Sequence, residues 1–391
     1  MFDKNRNAIA AILLSVVVLL SMATGCEGER GNEPDGVAVA PAADDVLFAD
    51  FTAELFRHYA AFDSVSLNYL LAHPENYGIE KPEPTFGAYG AEAFKDELAY
   101  AKERFEELKA FDYDGLSYEQ QLTYDILCEA LSEGASSEEF LYHGDILSPT
   151  IGFQAELPIL LSEYRISEKG DFDYYIALLE TLPEFFENIA TFEREKKSRG
   201  TFMAKRSAED VIRQIDDFVK NPDENLLIKL FDKKVDAFEG LTNAEREDLK
   251  ARNRAATLDL VIPAYKSLAN SLAELNEDNA RTGGLSDIEG GAAYYEALTK
   301  ELTGSSKSVD ELERMIDEAI DESFDTIDEI ISSDPSVYAR IENIDYPAED
   351  PNEILDYLRG AISEYFPAAN DGGYALKYVD ESLEEFLSPA F

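Results

Sequence analysis

With 391 residues, 45% of them hydrophobic and 11% aromatic, the chain can bury a sizeable core and is too apolar to be a disordered polymer. Its 81 Asp and Glu against 34 Lys and Arg leave a net charge of −47, which excludes nucleic acid as a partner because phosphate binding needs basic residues that displace counterions. Such acidity could attract cations, but a solvated, soluble surface is its simpler consequence.

The first element reads as an export signal. Lys4 and Arg6 precede the apolar run Ala8 to Leu20, and Ser21-Met-Ala-Thr-Gly-Cys26 closes it with small residues. The run is shorter than the ~20 residues of a membrane-spanning helix, and small residues before a cysteine match a bacterial lipobox, with Ala23 where leucine is commoner. Residues 1–25 are therefore expected to be a lipoprotein signal peptide and Cys26 the lipidated residue, with simple export as the alternative. The partner this implies is the membrane, through lipid on Cys26, and the location is extracytoplasmic, anchored to the bacterial cell membrane. Cys128, left without a partner, reads as an inert packed thiol.

Residues 26–45, rich in Gly, Pro, Ala and acidic side chains, predict a flexible tether, and residues 46–391 predict the folded α-helical body. Phe48, Phe51, Leu55, Tyr59 and Phe62 trace a first helical face that ends by His73-Pro74. Phe94, Leu98, Ala101, Phe105 and Leu108 form the seam of a second helix, and Ser117 with Gln120 caps the next. From Gly134 to Glu156 the periodicity breaks down in a long connection, of the kind that is often functional. Tyr174, Leu178, Leu182, Phe185, Ile189 and Phe192 restore it, with Pro183 expected to open a second helix at its tolerated first-turn position.

Ser207 to Val219 predicts another helix, and Thr242 with Glu245 caps a long one toward Leu275 that Pro263 should kink. The most specific stretch is Thr282 to Ile331. Gly283-Gly284 and Gly290-Gly291 permit two sharp turns, and Gly291, Tyr295, Leu298 and Leu302 then form a short helical stripe expected to be buried. Ser308 with Glu311 makes a capping box, after which Leu312, Ile316, Ile320, Phe324, Ile327 and Ile331 continue one apolar face for about six turns. Asp350-Pro351 to Phe366 is the last clear helix. Tyr374, Leu376 and Tyr378 alternate with Ala375, Lys377 and Val379, the one strand-like period. The expected fold is mainly α, an irregular multi-helix array with a short β-strand at Tyr374–Val379, in one helical domain or two closely packed ones.

Groups that carry chemistry are scarce. His58, His73 and His143 lack the three- to five-residue spacing that puts two ligands on one helix face, so no metal residue is assigned. Asp112-Tyr-Asp114-Gly115 begins like a calcium loop, but Thr123 stands where its closing glutamate belongs. There is no Gly-x-Ser-x-Gly elbow, phosphate loop or dinucleotide fingerprint. No catalytic residue is assigned.

Five segments together resemble the bacterial domain of unknown function 885 family, whose members are often exported or lipid-anchored. They are Gly152-Phe-Gln-Ala-Glu-Leu-Pro158, Asp173-Tyr-Tyr-Ile-Ala-Leu-Leu179 with Leu182-Pro183, Val261-Ile-Pro-Ala-Tyr265, Gly290-Gly-Ala-Ala-Tyr-Tyr-Glu-Ala-Leu298, and Leu376-Lys-Tyr-Val-Asp-Glu-Ser-Leu383 with Ser388-Pro-Ala-Phe391. The resemblance implies a zinc metallopeptidase of the zincin type, in which a His-Glu-x-x-His helix holds the metal and activates water. That motif is absent here, so no catalytic or metal residue carries over, and this chain alone is expected to hold no zinc and to be inactive. The expectation is of the N-terminal part of such an enzyme, as a fragment or a truncated product. By the same resemblance, the segment with Tyr374, Leu376, Lys377 and Tyr378 is a candidate edge strand for peptide substrate. The alternatives are a non-enzymatic surface lipoprotein that binds a peptide or small ligand, and a purely structural surface protein.

Overall fold

The computed structural model describes residues 43–149, 151–343, 350–362, 365–366, 376 and 378. It divides into two compact units, Met1–Tyr295 and Glu296–Phe391.

In the first unit, α1 (Ala43–Ala60), α2 (Ser64–Leu70), α3 (Ala91–Leu108) and α4 (Tyr118–Ser136) enclose one apolar cluster. Phe48 and Phe51 of α1 meet Phe111 at ring separations of 5.3 and 5.5 Å, and Leu55, Leu108, Leu127 and Leu131 are buried around them. On α3 the buried residues are Phe94, Leu98, Ala101 and Leu108, four of the five in the expected seam. At the start of α4, Ser117 and Gln120 exchange backbone and side-chain hydrogen bonds of 3.2 and 3.3 Å, the expected cap.

The larger cluster surrounds α6 (Gly170–Ser198), with α5 (Phe153–Glu163), α7 (Lys205–Val219), α8 (Leu226–Ala237), α9 (Asn243–Ala256) and α10 (Ile262–Asn276) around it. The expected break at Pro183 does not occur. α6 runs straight through it, because Leu178, Leu179 and Leu182 on one side and Phe185 and Phe186 on the other are all buried. Fully burying each such side chain is worth about 1.5–3 kcal/mol, and together they outweigh the ~3 kcal/mol cost of an interior proline. Before Pro263 the helical ladder is interrupted by a widened π turn, Thr257–Val261, in which the Ile262 N–H reaches back five residues to the Thr257 carbonyl.

Three cations close three helix ends. Arg165 donates to the carbonyls of Asn68 and Leu71 at the end of α2, Lys234 to those of Ser162 and Tyr164 at the end of α5, and Arg246 to those of Val235 and Phe238 at the end of α8. Each satisfies carbonyls that the helix leaves open and meets the negative end of its dipole.

The division between the units falls within α11 (Gly291–Thr303), where the buried positions are Gly291, Tyr294 and Leu298. This corrects the expected stripe: Tyr295 and Leu302 face solvent. The second unit continues with α12 (Val309–Ser333), opened by the expected Ser308/Glu311 capping box, then α13 (Val337–Glu342) and α14 (Pro351–Ile362). α12 forms as its period predicts, but none of its residues is buried. Helical periodicity reports amphipathicity and cannot say what covers the apolar side. The segment Tyr374–Val379 lies outside the described residues except for Leu376 and Tyr378; among the described residues there is no strand.

Candidate functional site

Of the residues singled out in the sequence, Cys26, Tyr374 and Lys377 lie outside the described residues, and Leu376 and Tyr378 are exposed and belong to no regular element. Cys128 is a free, partly buried cysteine whose thiol pKa is raised, first by burial and then by the carboxylates of Asp125 and Glu129; it is a poor nucleophile. The histidines stand apart. His58 lies 3.3 Å from Glu97 and stacks on Tyr100, and His73 lies 3.1 Å from Glu75 on the surface.

The long connection before α5 carries the polar centre of the first unit. His143 packs against the rings of Phe140 and Tyr294, which also touch each other, and its Nε2 donates to the Glu289 carbonyl at 2.9 Å, clasping the loop to the turn before α11. One residue on, the Gly144 carbonyl accepts from Lys196 Nζ at 2.7 Å, and Lys196 also ion-pairs with Asp145. Lys196 is wholly buried near the end of α6, as is Glu193 one turn before it, with a carboxylate oxygen 3.9 Å from the ammonium. Neither Glu193 oxygen has a hydrogen-bond partner. Arg281 donates to the carbonyls of Phe202 and Gly284.

Asp145 is thus the counter-ion and Glu193 the surplus carboxylate. Burial lowers the Lys196 pKa, but Asp145 and Glu193 more than offset this, so the ammonium keeps its proton. Burial pushes Glu193 up to about 7, with Lys196 opposing the rise and Asp145 adding to it. Between the ordinary glutamate range and about 7, native Glu193 holds a proton that the unfolded chain has released, so its contribution to stability is lost as pH rises through that window. Glu193→Gln removes this titration. Urea unfolding at pH 5, 6.5 and 8 is expected to show a flatter profile for the variant and an advantage over the parent at pH 8 on the order of 2–3 kcal/mol; parallel profiles would show that Glu193 ionises normally. The signal was present in the sequence: Lys196 follows Phe185, Ile189 and Phe192 at steps of four, three and four, a charged residue at an apolar position.

A shallow groove of about 270 Å³ lies between α6 and the π turn with α10. Phe186, Ala190, Ala264 and Leu268 line it as buried residues, Pro183 and Pro263 stand in its walls, and Glu187, Asp259 and Ser267 are exposed lining groups. It suits a small apolar group and holds no paired nucleophile and base.

The profile of a family described as bacterial protein of unknown function (DUF885) matches residues 75–386. The chain belongs to the DUF885 family. A crystal structure titled "putative lipoprotein from Colwellia psychrerythraea" is similar with a TM-score of 0.70 and 16% sequence identity, over 83% of this chain and 59% of that one. At that identity the likeness establishes the fold alone. No curated protein matches the chain.

The zinc implied for DUF885 relatives does not fit the described residues, among which no three His, Cys, Asp or Glu side chains gather to hold a metal ion.

Proposed function

We propose that this chain is the helical part of an exported, lipid-anchored DUF885 zinc metallopeptidase, supplying wall and substrate groove to a zinc site formed by sequence outside these 391 residues. The observation that carries the reading is the DUF885 match over residues 75–386. It is supported by a fold similar to that of the Colwellia protein, of whose length the chain spans 59%. Cys26 carries the lipid and holds the protein on the outer side of a bacterial membrane; no helix among the described residues is long and apolar enough to cross one. The segment with Tyr374, Leu376, Lys377 and Tyr378 offers an edge to extended peptide. A second reading, a non-enzymatic lipoprotein that binds a small ligand, is favoured by the groove between α6 and α10.

Two experiments test the reading. Metabolic labelling with an alkyne fatty acid is expected to mark the protein expressed with its own signal, and Cys26→Ser to abolish the label; a labelled variant would exclude Cys26 as the anchor. The open frame past the codon for Phe391 is then read and expressed with the chain. Zinc-dependent peptide hydrolysis is expected only in the longer product, reduced by Lys377→Pro, whereas stoichiometric zinc or cleavage in the 391-residue chain would overturn the proposal.

A further inference from the structure

The second unit contains an apolar face that its own described residues leave open. On α12, Met315, Ile316, Ile320, Phe324, Ile327 and Ile330 are each between 47% and 63% exposed. They follow helical spacing and share one side of a 25-residue helix, a stripe on the order of 500 Å² of apolar surface. A patch of that size matches the largest that a soluble monomer presents, and such patches are often functional.

The charges of the same helix narrow the occupant. α12 carries ten Asp and Glu and one cation, Arg314. By helical spacing, Asp310, Asp317 and Asp328 lie beyond one edge of the stripe, and Glu311, Glu322 and Glu329 beyond the other. A second copy of the chain would set these carboxylates against their equals, and an anionic lipid surface would be repelled in the same way. A helix that offers an apolar face flanked by Lys and Arg is complementary in both respects. We propose that α12 is a docking face for a basic amphipathic helix of a partner protein.

The test uses the whole 391-residue chain and a fluorescent Leu/Lys peptide of about 18 residues with leucines at helical spacing. The control peptide has the same composition in an order that leaves no apolar face. Anisotropy is expected to show the patterned peptide binding at least about tenfold tighter than the control. The exposed double variant Ile320→Ser/Phe324→Ser is expected to lose that preference while keeping the parent's melting temperature. Asp317→Asn/Asp328→Asn is expected to weaken binding and flatten its salt dependence. Equal binding of the two peptides would reduce the effect to bulk charge and overturn the proposal. So would a sedimenting dimer that the serine variant disperses, or adsorption to phosphatidylglycerol vesicles that it abolishes. A clear fall in the serine variant's melting temperature would assign the stripe to the chain's own packing and also sink the idea.

Discussion

Replacing Lys196 by methionine is expected to destabilise the first unit by about 3–5 kcal/mol, the range found when one partner of a buried charge pair is removed. The side chain is wholly buried, and its ammonium bridges the Gly144 carbonyl, Asp145 and, at 3.9 Å, Glu193. Methionine fills much of the same volume but leaves Glu193 enclosed with no counter-charge. The loop from Leu141 to Pro149 also loses one of its ties to α6, keeping the bond from the Tyr142 hydroxyl to Glu195. Urea unfolding followed by circular dichroism at pH 7 measures the loss. Glu193→Gln in the Lys196→Met background is expected to recover part of it, because the stranded carboxylate is gone. A loss below about 1 kcal/mol, or no recovery in the double variant, would mean that Asp145 and the loop hold without Lys196.

The second large effect reverses a common expectation about glycines. Gly290 has φ +75°, a left-handed conformation that favours glycine, whereas Gly291 does not. Yet a Cβ on Gly291 would lie 1.8 Å from the Leu285 carbonyl oxygen and 2.7 Å from its carbon, both backbone atoms that cannot step aside. A Cβ on Gly290 would meet only the His143 ring, with Nε2 at 3.1 Å and Cε1 at 3.6 Å, a side chain and not backbone. Gly291→Ala is therefore expected to cost about 3 kcal/mol or more by forcing open the turn before α11, and Gly290→Ala about 1–2 kcal/mol from backbone strain. Thermal unfolding of the two variants gives the order directly. A larger loss for Gly290→Ala would show that conformation, and not close approach, governs this turn.

Both predictions concern places where local pattern and packing part company. The capping boxes at Thr242/Glu245 and Ser308/Glu311 form as written, since each needs only residues three apart. Pro183 breaks the rule for the opposite reason. Its penalty is local, but the burial that overrides it comes from helices distant in the chain. In the Thr282 to Ile331 stretch the glycine turns and both helices are legible, while the choice of Tyr294 over Tyr295 as the buried tyrosine is not. Either lies within a helical stripe, and the contact with Phe140 and His143, some 150 residues earlier, selects one. Lys196 and Glu193 are two charges among very many, and only their spacing sets them apart by placing them on a buried face.

By itself, then, the sequence determined the helical class, the caps, the family and the acidic character, because these depend on neighbours within a few turns or on sums over the whole chain. The tertiary structure alone decided three things: which carboxylate is enclosed beside Lys196, which cations close helices α2, α5 and α8, and that the described residues of its own unit leave the apolar face of α12 open. Each of these turns on what another part of the chain brings, or fails to bring, within a few ångströms. Periodicity fixes which side of a helix is apolar and leaves its partner to the fold.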